Sequence, residues 1–191
     1  CNTAVGWCAG ALLTTGCNNT LVGRFAGGYA MTTAIENTLI GKSAGVFTTT
    51  GCYNVAVGSC SMTNVTIGSY NTAVGQSSLN CITEGCCNTA IGHYALFNNT
   101  TGDCNTAIGA FAGRGITIGN CNIVVGFNTL YNTNTGSANV AVGFDALSSQ
   151  TTGSYNVGIG LFALHSSVNG TFNIGIGYCA MGGNTGAGSK N

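Results

Sequence analysis

Small and β-branched residues come in short bursts along this chain, and each burst closes on a glycine. The full pattern is Asn105-Thr106-Ala107-Ile108-Gly109, repeated as Asn2-Thr3-Ala4-Val5-Gly6, Asn71-Thr72-Ala73-Val74-Gly75 and Asn88-Thr89-Ala90-Ile91-Gly92. The closing glycines are Gly6, Gly23, Gly41, Gly58, Gly75, Gly92, Gly109, Gly126, Gly143, Gly160 and Gly177, spaced by 17 residues with a single 18 between Gly23 and Gly41. A fixed period of this length marks a repeat array.

The residues one and three places before each glycine are β-branched in every copy, from Thr3 and Val5 to Ile174 and Ile176. Such residues suit a pleated strand, and positions two apart share a face. Between them stands Ala in six copies and Gly, Leu or Val in the others. Each repeat therefore predicts one short strand with a β-branched face and a mostly small-residue face. Three places after the glycine comes Ala, Ser or Thr, then Gly, Leu or Met. A polar turn follows, with glycines at Gly16, Gly51, Gly68, Gly85, Gly102, Gly119, Gly136, Gly153 and Gly170 that are expected to supply a positive φ. In Val65-Thr66-Ile67-Gly68 and Ile116-Thr117-Ile118-Gly119 this turn region itself reads as a second strand.

Two short strands and two turns per 17 residues predict an all-β, parallel β-solenoid or β-roll of about eleven coils over residues 1–181. Residues 182–191 read as a Gly/Asn/Ser-rich C-terminal tail. Coils stacked about 4.8 Å apart make a rod roughly 50 Å long. A helical reading fails, because no 3.6-residue period is sustained and a glycine inside every turn of helix would cost about 1 kcal/mol.

Composition narrows the function. Charged residues make up 4 % of the 191, against about 25 % in an ordinary soluble domain. No apolar run approaches the ~20 residues of a spanning helix, so no membrane span is expected. The eight ionic residues are scattered singly, and nothing could neutralise a row of phosphates, which argues against nucleic acid. A neutral surface favours association with neighbours. No signal peptide pattern is visible, and the chain opens inside a repeat at Cys1-Asn2-Thr3, as a fragment or processed product would.

Asn-Thr-Ala-Ile-Gly followed by two variable residues and Ala, as in Asn105 through Ala112, resembles repeats of two groups. One is the head of trimeric autotransporter adhesins. The other is the stalk of phage and viral tail fibres found upstream of endosialidase-type intramolecular chaperone domains, and Thr101-Gly102 before the motif brings the chain closer to that second group. The resemblance spans roughly Asn2 to Ala180 and implies a left-handed β-roll, a homotrimer, and a virion or cell-surface location. The 17-residue period, longer than the adhesin repeat, and the eleven cysteines depart from it. A thin roll has little core of its own, so self-association as a homotrimer or filament is also physically reasonable.

Four cysteines, Cys1, Cys87, Cys104 and Cys121, stand just before a motif Asn. The last three belong to successive coils about 5 Å apart, so a disulfide Cys87–Cys104 or Cys104–Cys121 is geometrically open, though not both, beside the plainer reading of small buried residues. Cys81 with Cys86-Cys87 lacks the spacing of a zinc site, and no metal or other cofactor is expected. His93 and His165 lie about four coils apart, some 20 Å, without carboxylates nearby, and the four carboxylates are themselves dispersed. Gly158-Ile159-Gly160 is a repeat strand and not a phosphate loop. No catalytic residue is assigned and no enzyme is expected.

The residue after the repeat glycine varies most, and its aromatic members Trp7, His93, Phe127, Phe144 and Tyr178 are candidates for contact with a surface glycan or receptor, or fillers of a trimer seam. Sequons at Asn18, Asn64, Asn98, Asn99 and Asn169 are expected by chance in so Asn- and Thr-rich a chain. The leading expectation is a structural fibre or adhesin shaft, extracellular or on a virion. The alternative is an ice-binding β-solenoid using rows of Thr-x-Val or Thr-x-Ile. Six of the first seven copies carry the Thr, but Ile123, Val140, Val157 and Ile174 end the row.

Overall fold

The computed structural model describes residues 1–133, 135–166 and 169–182. They form a β-solenoid of about ten turns whose single sheet has eleven parallel strands in chain order. The strands are β1 (Thr3–Val5), β2 (Thr20–Val22), β3 (Thr38–Ile40), β4 (Val55–Val57), β5 (Thr72–Val74), β6 (Thr89–Ile91), β7 (Thr106–Ile108), β8 (Ile123–Val125), β9 (Val140–Val142), β10 (Val157–Ile159) and β11 (Ile174–Ile176). Equivalent residues pair throughout, Thr89 with Thr106 and Ile91 with Ile108, for example. The 18-residue interval does not disturb the register, since Thr20 still pairs with Thr38. The extra residue is taken up at a corner near Tyr29 and Ala30, where the Tyr29 amide bonds to Val46.

The small residue of each strand points inward and the two β-branched residues point out. From β2 to β9 the middle residue, Ala in most, is fully or almost fully buried, while Ile91 and Ile108 are 40 % and 41 % exposed. Coils stacked this closely leave a thin interior, so volume is traded between rows. Leu39 on β3 faces Gly45, where an added Cβ would meet the Leu39 Cδ1 at 2.6 Å. At Ala73 and Ala90 on β5 and β6 the strand side chain is smaller, and a buried Leu79 or Leu96 replaces the glycine.

A column of asparagines runs the length of this interior. Asn105 donates its backbone N–H and its Nδ2 to the Asn88 Oδ1, at 2.9 and 3.1 Å, and its Nδ2 also to the Gly119 carbonyl at 2.8 Å. The Asn105 Oδ1 accepts in turn from the N–H and Nδ2 of Asn122, both at 3.0 Å. The backbone rung repeats from Asn19 on Asn2 to Asn173 on Asn156. Each amide of this column thus bridges one coil to the next, which removes the desolvation penalty that a buried polar group would carry.

Two expectations are corrected. Each coil has one strand and not two. Around Val65–Gly68 the amides of Thr66, Ile67 and Gly68 all donate to the Thr83 carbonyl at 3.1 Å, so they converge on one acceptor and do not alternate as a ladder requires. Nor do the turn glycines such as Gly68 adopt a positive φ. They are glycine because a Cβ on Gly68 would stand 2.5 Å from the Gly85 carbonyl oxygen in the next coil. Positive φ falls instead on the motif glycines, 133° at Gly75, and on side-chain-bearing residues such as Leu79, Leu96 and Phe111.

Asn105→Ala removes an acceptor for two buried donors and is expected to lower unfolding stability by about 2–6 kcal/mol, from ~1–3 kcal/mol per unsatisfied group. Asn2→Ala, at the exposed end of the column, should cost less than a third of that. Urea denaturation of both variants checks the difference.

Candidate functional site

Two surface features carry the side chains with chemistry. The first is an aromatic strip built from the residues one, two and five places after the repeat glycine, which leave the coil at the corner following each strand. His93 packs edge-on against Tyr94 at 4.4 Å and Phe111 at 5.3 Å. Phe111 meets Phe127 at 5.8 Å, Phe127 stacks on Phe144 at 5.4 Å and 15°, and Phe144 meets Phe162 at 5.7 Å. The strip ends on His165, 5.5 Å from Phe162, beside a pocket of about 400 Å³ lined by Phe162, His165, Cys179 and Gly182. Arg114 lies among the rings of Tyr94, Phe97 and Tyr131, and its Nη1 donates to the Tyr131 hydroxyl at 2.7 Å.

Of the five aromatic candidates, His93, Phe127 and Phe144 therefore share one strip. Trp7 belongs to a separate cluster near the first coils, 4.6 Å from Phe25 and with the Arg24 guanidinium 5.1 Å from its ring. Tyr178 is 74 % exposed and makes no ring contact among the described residues; the hydrogen bond its hydroxyl donates to the neighbouring Cys179 sulfur, then that thiol's charge, pushes its hydroxyl pKa up. Tyr94, Phe97, Phe111, Tyr131 and Phe162 complete the strip but lie off the single row from which the candidates were drawn. Reading the rows two and five places after the glycine together with the first would have found them.

The second feature is the column just before the motif Asn, where Cys87, Cys104 and Cys121 stand as exposed free thiols. All three have φ near +58°, at 59°, 57° and 58°. Their column also holds Tyr53 and Tyr70, stacked at 4.9 Å and 5°, and Tyr155 and Phe172, stacked at 5.0 Å and 2°. The Cys104 thiol pKa is pushed up by desolvation, then by Cys87, Cys121 and Asp103. Among the described residues no three His, Cys, Asp or Glu side chains converge as a metal site, and no helix is long and apolar enough to cross a membrane.

Comparison with known proteins finds no match: no family model fits the chain, and neither a curated protein nor a solved structure is similar to it.

Glu36 faces Tyr53 one coil away, and its negative charge, followed by Tyr70, raises the Tyr53 hydroxyl pKa above the usual 10.0. Because the folded value lies above the unfolded one, this contribution to stability is present below the ordinary tyrosine range and is lost as pH rises through the folded pKa. Ultraviolet titration should show Tyr53 and Tyr178 ionising late, and Glu36→Gln should bring down the Tyr53 transition alone.

Proposed function

We propose that the chain is a shaft of a structural fibre or adhesin, displayed outside the cell or on a virion, and assembled as a homotrimer or longer filament. The carrying observation is the outward sheet face. Its two rows of Thr, Val and Ile run unbroken from β1 to β11, and Val5, Ile40, Val74, Ile91, Ile108, Ile159 and Ile176 are all exposed. A contiguous apolar surface of this extent marks a place of association, and a second copy of the same ladder offers the same spacing of side chains. The resemblance to adhesin-head and tail-fibre stalk repeats points the same way. The aromatic strip from His93 to Phe162, at the corner following each strand, is available for a receptor or glycan.

A second reading has its own observation. Thr72, Thr89 and Thr106 stand beside Val74, Ile91 and Ile108 on the outward face, one coil apart and in register, as an ice-ordering surface would require. The shaft is preferred, because an ice face gains nothing from the block of hydroxyl-free strands β8 to β11.

Sedimentation of the full chain should give a species of three chains or more. The pair Ile91→Lys and Ile108→Lys should convert it to monomers with an unchanged β-type circular dichroism spectrum. A monomer before mutation, with full β content, rejects the assembly; thermal hysteresis in the purified chain would favour the ice-binding reading.

A further inference from the structure

We propose that Cys87, Cys104 and Cys121 form a redox staple in which oxidation closes one disulfide, always through Cys104, to either Cys87 or Cys121, and leaves the third thiol free. The inference rests on the stacking of coils alone and does not depend on the shaft reading.

Three observations place the sulfurs. First, the Cys104 amide bonds to the Cys86 carbonyl and the Cys121 amide to the Asp103 carbonyl, both at 3.0 Å, so successive members of the column sit one coil apart. The usual coil spacing of about 4.8 Å lies inside the 4.4–6.8 Å Cα range of disulfides, whereas Cys87 and Cys121, two coils apart at ~10 Å, lie outside it. Second, all three share one backbone conformation, so their side chains leave in one direction. Third, side chains of this same column meet face to face in other coils, as the parallel rings of Tyr53 and Tyr70 show.

The remaining cysteines lack a partner of this kind. Ile35 and Ser69 separate Cys17, Cys52 and Cys86 in the neighbouring column. Cys86 also turns its thiol to the Glu84 carbonyl at 3.3 Å.

Oxidised glutathione, a small disulfide, can drive the closure. A Cys87 or Cys121 thiolate attacks one of its sulfurs and releases one glutathione thiolate. Cys104, as thiolate, then attacks the mixed disulfide at the protein sulfur and releases the second. Two protein thiols lose two electrons and two protons, and two glutathione thiols gain them. The odd thiol can afterwards move the bridge without net oxidation: a Cys121 thiolate attacks the Cys104 sulfur of a Cys87–Cys104 bond and expels Cys87 as thiolate. The raised pKa of Cys104 keeps less of it as thiolate.

The test oxidises the reduced full chain with oxidised glutathione, blocks free thiols with iodoacetamide, and digests with trypsin and a protease cutting after Asp and Glu. Cleavage after Glu84, Asp103, Arg114 and Asp145 puts Cys87, Cys104 and Cys121 on separate peptides. Two of the three thiols should be lost per chain, with peptide 104–114 linked to 85–103 in some molecules and to 115–145 in others. Fragmentation should place the first link at Cys87. Cys121→Ser should leave only the first link and Cys87→Ser only the second. In Cys104→Ser neither flanking thiol should enter a disulfide within the chain, each being recovered alkylated or as its glutathione mixed disulfide, with unchanged circular dichroism. Full alkylation of all three after oxidation, a Cys87–Cys121 link, or a Cys86–Cys104 link would overturn the proposal.

Discussion

Each coil is held to the next by an asparagine whose side chain does the work of a peptide group. A 17-residue coil is too narrow for an apolar core that could offset the ordering of its backbone unaided. The column solves this by making the buried side chain both donor and acceptor along the stacking axis. The Asn88 Oδ1 takes two hydrogen bonds from Asn105, while its Nδ2 reaches the Gly102 carbonyl and the Asn71 Oδ1. Each such bond is worth only about 1 kcal/mol net, but the rungs repeat in every turn and fix the register as well as the stability.

The remaining features follow from that axial constraint. Backbones this close leave no room for a Cβ between successive motif glycines: one placed on Gly75 would stand 2.6 Å from the Gly92 carbonyl oxygen. The chain must also turn sharply between its short strands, and it does so with side-chain-bearing residues at positive φ. Leu79, Leu96, Leu147 and Leu164 accept that conformation, at φ of 47° to 53°, and are fully buried. A left-handed residue costs roughly 1–2 kcal/mol; burying a leucine recovers about 1.5–3 kcal/mol, so a buried leucine can hold the turn.

The period, the parallel stack and the single in-register sheet were legible because the glycine column and the β-branched pairs repeat without interruption. The direction of the strand was not. β-branched residues read as core by habit, yet Thr106 and Ile108 face outward, because the thin interior at this strand is already filled by Ala107, Ala112, Ile116 and the asparagines. The expected second strand failed for a related reason. Val65 and Ile82 are apolar because they fill the interior, not because the backbone around them is extended. Asn105 and its equivalents were visible as part of the motif, but their role was not, since an Asn before a strand equally suits a surface turn. Of the candidate sites, the cysteine column followed directly from the period. The aromatic strip was only half visible, as Tyr94, Phe111 and Phe162 come from a different row of the repeat than Phe127 and Phe144.

The central claim is that a residue's partner lies one coil away and not along the local chain. It is tested most directly by through-hydrogen-bond scalar couplings measured by NMR on isotopically labelled protein. The account predicts a coupling between the backbone amide nitrogen of Asn105 and the side-chain carbonyl carbon of Asn88, repeated for Asn122 on Asn105. Couplings confined to partners within four residues in sequence, with none across seventeen, would contradict it.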